Sequence, residues 1–471
     1  MTPTRILVVG GGGREHALAW KLAGEPGINR IHVAPGNAGI AREPRVTVHP
    51  SVAAGDVAAI VELARREATE LVVIGPEAAL AAGVADALEA AGAVVFGPSR
   101  AAARIETSKA FCRDVAAAAG VAMAAGRAFE GFAPALAFAR ELAASRDGTA
   151  GVVVKADGLA AGKGVTVCDA FGEAEVALRA IFADVTDVSA TGATGPRVVV
   201  EERLTGPEAS LIALCDGRDV LGLLPARDHK RLADGDHGPN TGGMGAYTPL
   251  PDLSADAASE LLERVHRPIL AELARRGVPF RGALYAGLIL TTDGPRLLEC
   301  NARFGDPEAQ VLLPTVGVAL SPLLAAAARG NLLAAAGRLG IVGSILPTTG
   351  QAAVGIVLAA AGYPATPRRG DPIRGLDAAQ ELGALVFHSA TARSTPPVAE
   401  GGFTTDGGRV LTVVGRGRDL PTARAIAGRA ADTIAFDGVQ HRHDIAADLP
   451  TSPPRGLLHP ARSPANLAAI R

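Results

Sequence analysis

Two lysines bracket a glycine-rich turn in the stretch KADGLAAGKG, in which Lys155 ends an apolar run and Lys163 precedes Gly164. Only five of the 46 basic residues are lysines, and the compact lysine ammonium suits point contacts to phosphate. A Walker A loop needs four residues between its glycines, whereas Gly158 and Gly162 enclose three, and no Ser or Thr follows the lysine. The stretch therefore predicts a hairpin that covers phosphates; a glycine-rich hairpin with two solvated lysines is the alternative.

A carboxylate and an amide stand two residues apart in the stretch RLLECNARFGDPEAQ. Glu299 and Asn301 share one face if this segment is a strand, because side chains alternate along a strand. Their oxygens are hard ligands that suit Mg²⁺, which takes few protein ligands when nucleotide phosphates complete its coordination. The pair predicts a metal site, and an ordinary strand end is the alternative.

The stretch RVVVEERLTGPEAS has the features of a nucleoside contact. Glu201 and Leu204 bracket a strand end whose backbone could pair with the edge of an adenine, and Glu202 lies between them. Glu208 stands where one carboxylate could accept both ribose hydroxyls. A surface glutamate pair is the alternative.

The amino-terminal stretch VVGGGGREHA follows a strand and opens a helix, a position where backbone N–H groups bind phosphate. Gly12, Gly13 and Arg14 are the candidate residues. Glu15 stands in place of the third glycine of the dinucleotide fingerprint, and no acidic residue closes the next strand. The pattern indicates a phosphate site rather than an NAD site, with a tight glycine turn as the alternative.

The surrounding elements are of two kinds. In the first hundred residues apolar strands alternate with amphipathic helices, which predicts an α/β parallel sheet covered on both faces. Residues 108–328 mix strands and helices in an α+β pattern, and 330–440 are rich in short strands. Residues 233–246 show no periodicity, which predicts a mobile loop that orders over ligand.

Composition excludes several functional classes. The 471 residues are 48% hydrophobic and 20% charged, which is typical of a soluble protein of several domains. A net charge of -2 gives no electrostatic reason to expect nucleic acid or a membrane as partner. The four cysteines form no C-x-x-C pair, and the apolar run before the first glycines is too short for a signal peptide. We expect a cytoplasmic protein that acts on small molecules.

The order of lysine, glycine-rich turn, acidic strand end and Glu-x-Asn resembles that of the ATP-grasp enzymes. More closely, the motifs GGREHA, APGNAG, KADGLAAGKGV, DHKR, GPNTGGMGAY and ECNARFGDPEAQ are similar to those of the phosphoribosylamine–glycine ligase family, over 5–444. Gly11 and His237 depart from the residues usual in that family.

This resemblance implies an architecture and an activity. The implied domains are a Rossmann-like domain at 1–106, a two-lobed ATP-grasp domain at 107–328 with a lid at about 121–196, a β-rich domain at 329–445 and a proline-rich tail at 446–471. The implied reaction joins glycine to 5-phosphoribosylamine through glycyl phosphate, with ATP as co-substrate and Mg²⁺ or Mn²⁺ as cofactor, in purine biosynthesis. We expect a monomer. Another ATP-grasp ligase or carboxylase and a non-catalytic nucleotide-binding regulator remain alternatives.

The resemblance also implies roles for single residues. ATP is assigned to Lys109, Lys155, Asp157, Gly158, Gly162, Lys163, Gly164, Glu201, Glu202, Leu204 and Glu208, and the metal to Glu299 and Asn301. The other substrates are assigned to Gly12, Gly13, Arg14, Glu15, Asp228, His229, Lys230, Asn240, Gly243 and Arg303. Lys155, Arg303 and Asp306 are expected to be catalytic, although a structural ion pair is the alternative for Arg303.

Overall fold

A five-stranded parallel sheet forms the amino-terminal part of the chain. The computed structural model describes residues 2–144, 151–159, 164–183, 197–394 and 402–449. The first strands are β1 (Arg5–Gly10), β2 (Arg30–Pro35), β3 (Val46–Val48), β4 (Leu71–Ile74) and β5 (Val95–Phe96), in the order β3-β2-β1-β4-β5. The helices are α1 (Gly13–Ala23), α2 (Val57–Arg66), α3 (Glu77–Ala82), α4 (Val84–Ala90) and α5 (Arg104–Thr107). The strand order reverses beside β1, and ligands bind at the carboxyl ends of strands at such a point.

A small lobe follows helix α6 (Lys109–Ala118). It contains β6 (Gly126–Phe129), α7 (Phe132–Ala144), β7 (Val152–Ala156), β8 (Val165–Cys168), α8 (Phe171–Ala183) and β9 (Val198–Glu202). The strands form a sheet in the order β6-β9-β7-β8, and α7 and α8 bury their apolar side chains against it.

A large lobe and two short hairpin strands come next. The elements are β10 (Glu208–Asp216), β11 (Val220–Gly222), β12 (Arg227–Asp228), β13 (Arg231–Ala233), β14 (His237–Asn240), β15 (Gly245–Thr248), α9 (Ala255–Leu261), α10 (Arg267–Arg275), β16 (Arg281–Thr291) and β17 (Gly294–Asn301). The large-lobe sheet has the order β11-β10-β16-β17, so its edge strand β17 carries Glu299 and Asn301.

The carboxy-terminal part shares its sheet with the centre of the chain. Its elements are α11 (Glu308–Leu312), α12 (Ser321–Ala328), α13 (Leu332–Arg338), β18 (Ala352–Ala359), α14 (Leu376–Glu381), β19 (Leu385–His388), β20 (Thr391–Arg393), β21 (Phe403–Thr405), β22 (Arg409–Gly417) and α15 (Leu420–Thr433). The sheet order is β12-β15-β18-β22-β19, in which the first two strands precede the large-lobe helices in sequence. The 227–248 segment is therefore anchored in the carboxy-terminal sheet.

One expectation from the sequence needs correction, and one helical segment is interrupted. The 233–246 stretch is not without regular structure, because β13 and β14 pair there as a short antiparallel hairpin, called the 231–240 hairpin below, and β15 follows. The helical pattern at 254–276 is broken into α9 and α10 by a π-helical segment, Leu262–His266. Of the described helices, none combines the length and the apolar character needed to cross a bilayer.

His266, at the end of the π-helical segment, should make stability depend on pH. Its side chain is fully buried with Nε2 3.2 Å from the Leu284 carbonyl oxygen, and burial lowers its pKa to about 4. The unfolded chain takes up this proton at about pH 6.5, so stability is lost as the pH falls from there toward 4, by about 3 kcal/mol. His266→Gln should lose less stability than the wild type over this range. Urea unfolding of both proteins at several pH values checks this, and parallel curves would contradict it.

Candidate active site

Lys155 joins the two lobes beside the predicted metal pair. It lies on β7 of the small lobe, and its Nζ is 2.6 Å from Oε2 of Glu201 on β9. The same ammonium donates a 3.1 Å hydrogen bond to the carbonyl oxygen of Leu298 on β17, one residue before Glu299. The fold therefore brings Lys155 to the strand that carries Glu299 and Asn301, and the region between the lobes around these three residues is called the cleft below.

The glutamates that follow on β9 use their side chains for internal contacts. Glu201 is buried and binds Nη1 of Arg113 at 2.6 Å in addition to Lys155. Oε1 of Glu202 accepts a hydrogen bond from the backbone N–H of Ala125. No local sequence pattern indicates Arg113, which lies 88 residues before its partner. Leu204, the other predicted nucleoside contact, lies half-buried just after the strand.

Lys109 and Asp157 hold the beginning of α6 against the turn after β7. The Lys109 ammonium donates to the Gly158 carbonyl oxygen at 2.9 Å, and burial lowers the pKa of this lysine. Asp157 accepts hydrogen bonds from the Ser108 hydroxyl and from the Ala110 backbone N–H. The helix start and the turn are thus fixed to one another on one side of the cleft.

The described part of the glycine-rich turn supports a hairpin. Strands β7 and β8 pair antiparallel, and the Ala156 N–H donates to the Gly164 carbonyl oxygen at 2.8 Å. Gly162 and Lys163 lie outside the described residues, so their predicted contacts with phosphate stay a prediction.

Glu299 and Asn301 point to the same side of β17. The Asn301 amide nitrogen donates to Oε1 of Glu299 at 3.3 Å, which places both oxygen-bearing groups side by side. Burial opposes ionisation of Glu299, but the positive charges of Lys230 and Lys155 hold its pKa below the usual range. An ionised carboxylate beside an amide is a suitable donor set for a small divalent cation.

Three further charged residues lie near Glu299: Glu208 at the start of β10, Asp228 on β12 and Lys230 just after β12. Lys230 binds Oε2 of Glu208 at 2.7 Å. Burial, with Glu308, Glu208 and Glu299 nearby, raises the pKa of Asp228 to about 7.

His229 lies between Asp228 and Lys230, and its backbone N–H donates to the Gly245 carbonyl oxygen at 2.9 Å. Burial lowers its pKa to about 4, so this imidazole is neutral at neutral pH. Asp228 and Lys230 thus lie close enough to Glu299 for their charges to interact, whereas the charged neighbours of the His229 imidazole include Arg442, Asp236 and Asp444.

Arg303 is held by two carboxylates that the sequence did not indicate. Its Nη2 lies 2.9 Å from Glu106, and its Nε lies 3.4 Å from Glu77. Burial disfavours the charged form, but these two carboxylates raise the pKa of Arg303 above the usual arginine value. Glu106 also accepts a hydrogen bond from the Ala302 N–H, which fixes the chain directly after β17. The ion-pair alternative for Arg303 is thus present in the structure.

A cavity of about 500 Å³ opens next to Arg303's partner Glu77 at the carboxyl ends of β1, β2 and β4. It is lined, among others, by Gly10, Gly11, Gly12, Arg14, Glu15, Gly36, Asn37, Glu77, Asp306, Ser389, Thr391 and Asp406. The last three come from the carboxy-terminal part of the chain.

The glycine turn at the start of α1 is organised by Glu15. This buried carboxylate accepts a 2.6 Å hydrogen bond from the Gly12 N–H, and burial raises its pKa. Gly13 begins the helix, and Arg14 donates to the Gly75 carbonyl oxygen. A phosphate bound here must displace Glu15 from Gly12 or use the neighbouring N–H groups.

Asp306 faces the cavity as an ionised group. Burial would raise its pKa, but Arg409 and Arg14 hold the pKa below the usual range. Gln310 donates to Oδ1 of Asp306 at 2.7 Å, and Arg409 lies 3.4 Å from Oδ2.

The 231–240 hairpin leads into a turn that packs on the Asp306 segment. Asn240 ends β14, and Gly243 follows with a φ of 109°, a conformation that side chains other than hydrogen rarely allow. Arg409 donates to the carbonyl oxygens of both Gly242 and Asp306, at 2.6 and 2.7 Å. Arg409 on β22 thus connects this turn to Asp306, which lines the cavity.

The family models for phosphoribosylglycinamide synthetase match three parts of the chain: the N domain at 4–106, the ATP-grasp (A) domain at 107–309 and the C domain at 353–448. The chain belongs to the phosphoribosylglycinamide synthetase family. It is 49% identical to a phosphoribosylamine–glycine ligase of Streptomyces coelicolor, over 94% of this chain and 99% of the relative.

The fold of this synthetase family member is similar to those of several solved structures. A phosphoribosylamine–glycine ligase of Thermotoga maritima matches with a TM-score of 0.75 and 31% identity, over 94% of this chain and 100% of that one. The biotin carboxylase domain of 2-oxoglutarate carboxylase from Hydrogenobacter thermophilus matches with a TM-score of 0.64 at 16% identity, over 94% and 92%, which shows a shared fold alone. The predicted family and fold class are confirmed. The predicted domain boundaries and residue roles stay predictions.

Gly243→Ala should damage the active site of this synthetase family member while leaving ATP binding largely intact. A Cβ at this position would lie 2.5 Å from Cδ of Pro307, so the segment that carries Asp306 has to move. We expect kcat to fall by at least about tenfold, because small displacements of reacting groups are costly. The matched control is Gly238→Ala, which has a similar positive φ of 83° but no Cβ contact closer than 3.5 Å. Equal losses in both variants would show that backbone strain, not the Pro307 contact, is responsible.

Proposed function

We propose that this chain joins glycine to 5-phosphoribosylamine, with conversion of ATP to ADP and phosphate, and so forms glycinamide ribonucleotide. The observation that carries this proposal is the position of Lys155, which links the lobes beside Glu299 and Asn301. The cavity at the ends of β1 and β2 lies next to that cleft and has the size and polarity for a sugar phosphate. The names of the relatives support the same reaction.

The reaction requires activation of a carboxylate. An amine cannot displace oxide from glycine's carboxylate, so an oxygen of the carboxylate first attacks the γ-phosphorus of ATP and ADP leaves. In the second step the ribosylamine nitrogen attacks the acyl carbon of glycyl phosphate, the C–N bond forms, phosphate leaves with the C–O bond electrons, and the nitrogen loses a proton. Both steps depend on positioning and on charge neutralisation.

Lysines and a metal would neutralise the phosphates. Lys109 and Lys155 would bind ATP phosphates, Asp157, Gly158 and Gly164 would shape the turn that covers them, and Lys163 would complete this lid. Glu299 and Asn301 fit Mg²⁺ or Mn²⁺, because an ionised carboxylate and an amide oxygen lie on one face of β17. Such an ion supplies charge neutralisation on the transferred phosphoryl group.

The nucleoside would lie against the end of β9. Because the side chains of Glu201 and Glu202 are engaged internally, the nucleobase would pair with the backbone between Glu201 and Leu204. Glu208 would accept the ribose hydroxyls, in competition with Lys230.

The remaining substrates would occupy the cavity side. The phosphate of phosphoribosylamine would bind at the start of α1, around Gly12, Gly13 and Arg14, with Glu15 holding the turn. Arg303, fixed by Glu77 and Glu106, would bind the glycine carboxylate or the acyl phosphate. Asp306 would contact the amine.

The polar residues around the cleft would complete substrate binding. Asp228, His229 and Lys230 would line its substrate side, next to the metal pair. Asn240 and Gly243 would close the site, because the turn after the 231–240 hairpin packs on the Asp306 segment. Such closure would exclude water from the acyl phosphate.

The proposal is tested by measuring ADP release with ATP, Mg²⁺ and one carboxylate at a time, each with and without phosphoribosylamine. Glycine with phosphoribosylamine should be the only pair that gives sustained turnover. Equal or faster turnover with bicarbonate or another amino acid would overturn the substrate assignment, and ATP binding without turnover under any condition would indicate a regulator.

A further inference from the structure

Three possible metal ligands meet far along the chain from the proposed active-site residues. Asp432 lies in the last turn of α15, and His441 and His443 follow on the segment after β22 and α15. Ligand atoms of the three residues all lie within 4.8 Å of one another. Nε2 of His441 is 3.6 Å from Oδ1 of Asp432, and the two imidazole rings are 4.7 Å apart.

The His441 imidazole has an unused nitrogen. Its Nε2 is buried and has no hydrogen-bond partner within the described ranges, although buried polar atoms are nearly always paired. An imidazole nitrogen that lacks a hydrogen bond and lies 3.6 Å from a carboxylate oxygen is a group that a cation between the two would satisfy.

His443 is oriented by a carboxylate from the 231–240 hairpin. Its Nδ1 lies 3.1 Å from Oδ2 of Asp234, and its backbone N–H donates to Oδ1 of the same residue at 2.8 Å. When Nδ1 carries the proton that Asp234 accepts, the lone pair is on Nε2. Metal-binding histidines are typically fixed by such a carboxylate on the other ring nitrogen.

We propose that Asp432, His441 and His443 form a binding site for a divalent transition-metal ion of the Zn²⁺ type, with Asp234 orienting His443. Two imidazoles and one carboxylate suit Zn²⁺, Co²⁺ or Ni²⁺ better than Mg²⁺, which prefers oxygen ligands. The contacts that support this site do not depend on the proposed reaction. Because Asp234 belongs to the 231–240 hairpin, the ion would also strengthen the attachment of that hairpin to the carboxy-terminal segment.

A second cluster among the described residues offers a built-in comparison. His32, His49 and Glu67 also have ligand atoms within 4.8 Å of one another. There the imidazole nitrogens of His32 and His49 are already 3.0 Å apart, as in a hydrogen bond, and Glu67 binds Arg66 at 2.9 Å. Their donors are paired with one another, so this cluster needs no ion.

The test is a titration of the whole chain with Co²⁺ in excess Mg²⁺, followed by visible absorption. We expect one Co²⁺ per chain with an imidazole-type spectrum. Asp432→Asn and His443→Gln should each weaken binding at least about tenfold. Both side chains are largely exposed, at 65% and 69%, so the variants should fold. His49→Gln is the matched control and should bind like the wild type. Unchanged affinity in the first two variants, or a loss confined to His49→Gln, would overturn the proposal.

Thermal unfolding gives a second measurement that does not depend on a spectrum. An ion that binds only the folded chain raises the unfolding temperature. Zn²⁺ in excess Mg²⁺ should therefore raise it for the wild type and for His49→Gln, but much less for Asp432→Asn. An equal rise in all three proteins would contradict binding at Asp432.

Discussion

Lys155→Met should lower kcat by about 10² to 10³, the loss typical when one preorganised charge or donor is removed from a transition state. The Lys155 ammonium is buried between Glu201 and the Leu298 carbonyl oxygen, so its position is fixed before ATP binds. Methionine keeps most of the side-chain volume but removes the positive charge. The Glu201 carboxylate keeps its ion pair with Arg113 in this variant, so the lobe should keep its fold.

The measurement is ADP release with glycine and phosphoribosylamine, together with a thermal unfolding curve for each variant. Lys21→Met is the matched control, because Lys21 is also partly buried and also donates to a backbone carbonyl oxygen, that of Val316, but lies on α1 outside the lobes. Lys21→Met should keep near-normal kcat. Normal turnover by Lys155→Met would refute the role proposed for this lysine.

The secondary-structure elements around the cleft could be predicted, because the sequence patterns that indicate them lie within the elements themselves. The β7–β8 hairpin follows from two β-branched runs around glycines, and the same-face placement of Glu299 and Asn301 follows from alternation on β17. The parallel sheet at the amino terminus followed from strand–helix alternation and from strands that are buried on both faces. In the first two cases one short stretch contains the whole pattern, and in the third the same pattern repeats over the first hundred residues.

The partners that hold the proposed catalytic groups could not be predicted, because they come from distant parts of the chain. Arg409 reaches the Asp306 carbonyl oxygen across 103 positions, and Glu106 reaches the Ala302 N–H across 196. Neither residue has a motif around it that distinguishes it from a solvated charge. Only the packing of the carboxy-terminal sheet and of α5 against the lobes shows what they hold.

The 231–240 hairpin was missed for a related reason. Its strands are short and polar, so no period-two hydrophobic pattern marks them. The hairpin is fixed from outside by Arg442, which is fully buried and binds Asp236 at 2.7 Å and the Arg231 carbonyl oxygen at 3.1 Å. Contacts with a residue distant in sequence thus stabilise this hairpin, although its own sequence has no strand pattern.

Glu299→Gln should reduce kcat at least about a hundredfold at ordinary Mg²⁺ concentrations and should raise the Mg²⁺ concentration needed for half-maximal rate. The substitution keeps the shape of the side chain and one oxygen but removes the charge. That charge is close to Lys155 and Lys230, which keep the carboxyl ionised although it is partly buried. The variant should therefore bind the cation more weakly, and the positive charges of Lys155 and Lys230 lose a nearby negative charge.

Asn301→Asp is the matched control for this prediction. Glu299→Gln removes a negative charge from the pair, whereas Asn301→Asp keeps an oxygen donor and adds a negative charge beside Glu299. Asn301→Asp should keep kcat within about tenfold and should lower, not raise, the Mg²⁺ requirement, because carboxylates bind this cation more strongly than amides. Rates for both variants are compared over a Mg²⁺ series with ATP held saturating. If Glu299→Gln showed the Mg²⁺ dependence of the wild type, the metal site would have to lie elsewhere, and the low pKa of Glu299 would reflect only its pairing with the two lysines.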